Sequence, residues 1–382
     1  MNALLEAPEI RDDVPDVDTE TKTVTAPRIR EAIRLGDLKA PAHDDGRELI
    51  QARFLCRGGS LLFVGPTGAG KSSFAMQAGV MWSLGKPCFG LRPTAPLRVL
   101  YIQAENDPGD LYEFRQGIYE GLELMKEHVK LAGGNVRIAS VNDSIGMDFV
   151  VNVLRPLLGA HHPDLLILDP LLAYLGGDVT RQDVVSYFVR SGLQPAIAEA
   201  DCGLILVHHP PKPRQDTGTA KAGDDAYFGA GSADLANWAR AVVVLKPTGA
   251  HGLYKLCLAK RGRRAGWVEE DGQTPSFERT VAHGKGGLIY WRDAEPGEVF
   301  TAAAANTKKA DLLALVPINS PLEKDVLISQ ASGKGIGSNR ARGFIAELIA
   351  EKKLFEWRAA RPGTRPKVSL ARIPQPQTAE TL

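Results

Sequence analysis

Residues 60–73 read Ser-Leu-Leu-Phe-Val-Gly-Pro-Thr-Gly-Ala-Gly-Lys-Ser-Ser. The apolar run Leu61 to Val64 leads into Gly65-Pro66-Thr67-Gly68-Ala69-Gly70-Lys71-Ser72, which fits G-x-x-x-x-G-K-[ST], and a helix-compatible segment, Ser72 to Leu84, follows. Strand, Gly-rich turn and helix in that order let backbone N–H groups turn inward around phosphate oxygens, while the helix N-terminus adds the positive end of its dipole. Gly65, Thr67, Gly68, Ala69, Gly70, Lys71, Ser72 and Ser73 are therefore the candidate phosphate cradle. Lys71 is expected to reach the β- and γ-phosphates and the Ser72 hydroxyl to ligate Mg²⁺, with ATP and Mg²⁺ as cofactors.

Working outward, apolar runs bounded by Gly, Pro and Asp recur at 98–104, 164–169, 203–209, 241–246, 254–260 and 287–291, and each reads as a buried strand. Between the first of them lie helix-compatible segments: Asp110 to Ala132, Asp148 to Leu158 and Arg181 to Asp201. Strand alternating with helix predicts an α/β core with a mostly parallel sheet covered on both faces. The later strands follow one another through short turns, which predicts an antiparallel extension.

Two carboxylates end strands. Asp169 closes Leu165-Leu166-Ile167-Leu168 and is placed to orient Mg²⁺ at the C-terminal edge of the sheet. Glu105, just after the run 98–104, is suited to orient and deprotonate an attacking water, and Asp107 is the nearest competitor. His208 and His209 end another strand, where a donor could feel the γ-phosphate. His161 and His162 read as surface residues.

The composition, 44% apolar and 24% charged with 46 Lys+Arg against 45 Asp+Glu, excludes wholesale disorder and collagen. Four scattered cysteines write neither a disulfide framework nor a zinc knuckle, and no apolar run approaches the length of a membrane span, so a cytoplasmic protein without membrane contact is expected. The near-zero net charge hides opposite ends. Residues 1–28 form an acidic arm (Glu6, Glu9, Asp12, Asp13, Asp16, Asp18, Glu20) read as disordered. From Lys352 to Arg372 cations prevail, a candidate phosphate-binding surface.

Residues 29–293 are expected to form the core, beginning with a lead-in of short helical stretches that packs onto it. Residues 294–307 read as a small, polar, turn-forming linker. Residues 308–373 give helix, helix, turn, helix and hairpin, the layout of a small C-terminal winged helix-turn-helix, and 374–382 a disordered tail. In it Ser338 to Leu354 is the candidate recognition helix, with Asn339, Arg340 and Arg342 near its start and Arg361 and Arg365 on the wing. Its partner would be duplex DNA or a replication protein.

The turn GPTGAGKSS, the carboxylate of YIQAEN, the strand LLILD, LVHHPPK, FGAGSADLANWAR and CLAKRGRR together resemble the RecA-like ATPases, specifically the RepA-type plasmid and phage helicases related to DnaB, over roughly residues 45–292. The resemblance implies that Lys71, Ser72, Glu105 and Asp169 bind and hydrolyse ATP, and that His208 or His209 couples the γ-phosphate to a DNA-contacting loop. It also implies a ring, usually a hexamer, with ATP between subunits. A late basic strand supplies a finger in trans in such rings; here it carries Lys260, Arg261, Arg263 and Arg264, with strand alternation expected to divide them between two faces. The family's single-strand-binding loop falls at Pro210 to Tyr227, whose cations are Lys212, Arg214 and Lys221. The resulting expectation is a homo-oligomeric DNA helicase or translocase acting on single-stranded DNA in replication of a plasmid, phage or similar element. An ATP-switched DNA-binding regulator or loader and a filament-forming recombinase are the alternatives.

Overall fold

The structure, a computed structural model, describes residues 32–40, 46–209, 233–359 and 367–375. The expected acidic arm, most of the tail, and the positions Lys212, Arg214, Lys221, Arg361 and Arg365 lie outside the described residues. The chain divides after Asp45 into two units. The described part of the first holds one short 3₁₀ turn, Leu35–Asp37.

The second unit opens with a hairpin, β1 (Glu48–Ile50) and β2 (Leu55–Cys56), where short helical stretches are predicted. Ala52 and Arg53 have φ of 50° and 59°, a left-handed turn that reverses the chain too sharply for a helix. Leu49, Ile50, Phe54 and Leu55 are buried in the main core, so this hairpin packs onto it. After β3 (Ser60–Val64) and α1 (Lys71–Ser83) comes β4 (Val99–Gln103). The single helix predicted over 110–132 is two, α2 (Pro108–Gly121) and α3 (Lys126–Asn135), broken where Glu123 takes φ 50°. Next come β5 (Val136–Ser140), α4 (Gly146–Asp148) and α5 (Arg155–His161), the last two joined through a π-helical stretch. Then follow β6 (Leu165–Asp169), α6 (Leu171–Tyr174), α7 (Gln182–Ser186), α8 (Gln194–Glu199) and β7 (Gly203–His208).

Beyond residue 232 are α9 (Ala233–Trp238), β8 (Ala241–Pro247), β9 (Leu253–Lys260), β10 (Glu278–His283) and β11 (Trp291–Asp293). One sheet takes all but the first hairpin of these strands, in the order β11-β10-β9-β8-β3-β7-β6-β4-β5. From β8 to β5 neighbours are parallel, and β9, β10 and β11 add antiparallel at one side. Strands β3, β4 and β6 are buried along their whole length because helices cover both faces. Alternate side chains serve two cores. Phe63, Tyr101, Ile167, Ile205 and Val243 pack with α1, while Leu62, Leu100, Leu166, Leu204 and Val242 pack with the helices of 146–161 and 182–199.

Register decides where chemistry can happen. Val64 pairs with His208, and Gln103 pairs with Asp169. Strands β3, β4, β6 and β7 thus end at one edge of the sheet, and Gly65, Glu105, Asp169 and His209 emerge together there.

The linker predicted at 294–307 is instead the first part of a helix, α10 (Pro296–Ala314). Small residues read as a turn, but Glu295 and Glu298 form a reciprocal capping box, Pro296 stands in the first turn, and the alanines that follow favour helix. After it come β12 (Leu322–Glu323), α11 (Lys324–Gly333), α12 (Ser338–Ala350), β13 (Phe355–Ala359) and β14 (Lys367–Ala371). The three strands form an antiparallel sheet in the order β12-β14-β13. Leu312, Leu327, Ile336, Ile345, Leu348 and Leu370 give this region a core of its own.

Candidate functional site

The turn after β3 is built for an anion. Gly68 and Gly70 hold φ of 76° and 83°, which a side chain would strain, and a Cβ at Gly65 would stand 3.0 Å from Leu245. Gly70 caps α1 without a side-chain acceptor, so the amides of the first helical turn face outward. The Ser73 hydroxyl does not face a ligand: it donates to the Gly70 carbonyl at 2.9 Å and accepts from the Trp291 indole at 3.1 Å, leaving that position only its amide.

Lys71 is 3% exposed. Its ammonium donates to the Pro66 carbonyl at 2.7 Å and meets His209 Nδ1 at 2.8 Å. Burial lowers Lys71 to about 8 against the opposing pull of Asp169 and Glu105. Burial and then the Lys71 charge push His209 down to about 4, so the imidazole is neutral and accepts the ammonium proton. His208 is fully buried, and its carbonyl accepts from the Gly65 amide at 3.4 Å.

Asp169 is 1% exposed and accepts a 2.5 Å hydrogen bond from Tyr101 on Oδ2. Burial raises its pKa, outweighing the bonds from Tyr101 and Ser72 and the charge of Lys71. Its Oδ1 is buried without a hydrogen-bond partner. A buried carboxylate oxygen left open beside a serine hydroxyl suits a hard, oxygen-seeking cation, so Ser72 and Asp169 fit Mg²⁺.

Glu105 is exposed at the strand end, and burial followed by the Asp169 charge raises its pKa. Gln103, fully buried, fixes the turn that presents it by accepting from the amides of Glu105 at 3.1 Å and Asn106 at 2.7 Å. Asp107 is occupied elsewhere: it caps α2, accepting from the Asp110 amide at 2.9 Å. The structure thus brings Lys71, Ser72, Glu105, Asp169 and His209 together.

The basic strand stands at the opposite edge. Lys260 pairs with Val242, near the start of β8, and its ammonium donates to the carbonyls of Ala236, Asn237 and Ala239 at the end of α9. Alternation between two faces does not apply beyond it, because Arg261 turns left-handed at φ 63° and a 3₁₀ turn, Gly262–Ala265, follows. Arg261 donates to the Arg53 carbonyl at 2.8 Å, Arg264 to the Ala52 carbonyl at 2.7 Å, and Arg263 is exposed. Burial and neighbouring guanidinium groups lower Lys260 and Arg261. Arg190, Arg240, Lys260 and Arg261 line a cleft of about 640 Å³ here. Asn339, Arg340 and Arg342 are exposed near the start of α12; Arg342 donates to Asn339 at 3.4 Å, and Arg340 lies over the Phe344 ring.

Sequence reading misses the groups behind the site. Tyr101, Gln103, His283 and Trp291 touch it; the His283 ring lies 3.1 Å from the Ala69 carbonyl, and the Trp291 indole donates to the Gly70 carbonyl at 3.2 Å. Only Gln103, a polar residue at the end of a wholly apolar strand, leaves a signal in the sequence.

A family model described as an AAA domain matches residues 26–215. No curated protein matches. Among solved structures, the crystal structure of the RadB recombinase is similar at 15% identity and a TM-score of 0.39, covering 63% of this chain and 92% of that one. Among the described residues no helix is long and apolar enough to cross a membrane.

Proposed function

We propose that this RecA-like P-loop ATPase works as a homo-oligomeric DNA helicase or translocase, a ring of six copies that draws on single-stranded DNA in the replication of a plasmid, phage or similar element. One observation carries the reading: phosphate-binding and carboxylate groups occupy one edge of the sheet, and Arg240, Lys260, Arg261 and Arg263 the other. Within one chain those cations stand at the wrong end to reach the phosphate turn. Head-to-tail packing of copies, which closes into a ring when the rotation per copy divides a full turn, would set them against a neighbour's nucleotide.

In the proposed cycle the amides of 67–73 and Lys71 would hold the phosphates of ATP, and Ser72 and Asp169 would hold Mg²⁺. The bound ion supplies charge neutralisation for the phosphate oxygens. Glu105 orients the attacking water and takes its proton, a task its raised pKa favours. Lys71 must leave His209 to reach a γ-phosphate, and His209 is the last described residue before the segment carrying Lys212, Arg214 and Lys221. Release of His209 is the signal we assign to a single-strand-binding loop there.

The C-terminal order helix, strand, helix, helix and two strands supports a winged-helix reading, with Asn339 and Arg342 near the start of its last helix. We assign it to duplex DNA or a replication partner.

Particle images with ATP and single-stranded DNA test the proposal. Closed rings, with hydrolysis restored when Arg261→Ala/Arg263→Ala chains are mixed with Lys71→Ala chains, support it. Turnover by unassociated copies at a rate indifferent to DNA overturns it, and long filaments would point to a recombinase.

A further inference from the structure

A cleft of about 730 Å³ lies between the antiparallel side of the large sheet and α12, a volume suited to a small organic ligand. Its floor is the β8–β9 turn with Leu253 and Ala282, a small apolar patch. His251 and His283 stand on one side, Arg340 and Phe344 on the other. The acids along it are engaged: Glu298 by Arg292, Glu295 by Lys285 and Glu347 by Lys309. Arg340 has no carboxylate partner among the described residues and lies 5.4 Å from the Phe344 ring centre.

His283 belongs to both places, since the ring that lines this cleft also reaches the Ala69 carbonyl in the phosphate turn. The side on which a nucleotide must leave that turn follows from the sheet. His209, Asp169 and Glu105 follow β7, β6 and β4, all to one side of β3, so the γ-phosphate and its attacking water belong there. The other end of the nucleotide then exits toward β8, β9 and β10, where His283 opens into the cleft.

We propose that the cleft receives the base and ribose of the nucleotide whose phosphates the turn holds, with the Arg340 guanidinium over the base. A planar cation with an apolar floor suits a flat aromatic heterocycle. Helix α12 of the C-terminal region thereby completes the nucleotide site, and Arg340 serves the nucleotide rather than duplex DNA. This inference rests on the ATPase reading and adds a residue to it from outside the sheet.

Calorimetric titration of the full chain with ADP and, separately, with inorganic pyrophosphate tests it. Wild type is expected to bind ADP more tightly than pyrophosphate. Arg340→Ala, at an exposed position, should weaken ADP about tenfold and leave pyrophosphate unchanged. His251→Ala, on the facing wall, should act in the same sense. Arg340→Ala binding ADP as wild type does, or losing both ligands equally, overturns the inference. Lys71→Ala separates the two readings: if it binds ADP normally, the phosphate turn is not the nucleotide site and both fall. If it abolishes binding while Arg340→Ala is silent, only the inference falls.

Discussion

Nucleotide binding should take up a proton, and the amount can be worked from Lys71. Burial holds this ammonium near 8, and its neighbour His209, near 4, does not titrate between pH 7 and 9. At pH 8 about half the Lys71 population is therefore uncharged, against about 0.1 at pH 7 and about 0.9 at pH 9. Phosphate oxygens around the group favour its charged form, and the nucleotide's own phosphates are already ionised at pH 8. Binding of ADP should consume about half a proton at pH 8, and affinity should fall about tenfold between pH 7 and pH 9. Calorimetry in two buffers of different ionisation enthalpy reads the proton directly, with Lys71→Met as the control that removes it. Zero uptake at pH 8, with ADP binding still dependent on Lys71, would refute the assignment of a depressed, phosphate-seeking lysine.

Glu105→Gln should keep nucleotide affinity while lowering single-turnover hydrolysis about a hundredfold or more, because only proton acceptance from water is lost. Tyr101→Phe removes the 2.5 Å bond that aims Asp169, and the Mg²⁺ concentration for half-maximal hydrolysis should rise about tenfold. Asp164 accepts from Arg57 at 2.6 Å and from Arg98 at 2.8 and 3.1 Å; burial would raise its pKa, but these bonds hold it below the ordinary carboxylate value. Its contribution is thus present above the unfolded-state pKa and lost as pH falls through the folded one. Asp164→Asn should lower stability by about 2 to 3 kcal/mol in urea melts at pH 7 and flatten the loss of stability toward acid.

The parts of the site legible in sequence are those where local chemistry and position coincide. The phosphate turn is written in eight consecutive residues, and Asp169 and Glu105 mark themselves by ending apolar runs. Contacts that cross the sheet leave no such mark: Tyr101 meets Asp169 across 68 positions, and Trp291 meets Gly70 across 221. The fold follows the same division. Buried strands announce themselves, whereas β5, at the sheet edge, and β10, with Glu278, Arg279 and Thr280, are too polar to stand out. The basic strand misled because alternation assumes an extended chain, and Arg261 abandons it. The helix at 296 hid because its start is set by a reciprocal pair of glutamates, a signal carried by two residues among many small ones.

Gln77, buried in the middle of α1, donates from its amide to the Trp291 carbonyl and accepts from the Trp291 amide, both at 2.8 Å. A side chain here imitates a strand, welding the helix that carries the phosphate turn to the final strand of the sheet. Three residues past the end of that strand, α10 begins. A tilt of the helix would therefore be felt by the strand that leads into α10, and Gln77→Leu would remove this pair of bonds while leaving those of the Trp291 indole to Gly70 and Ser73 in place.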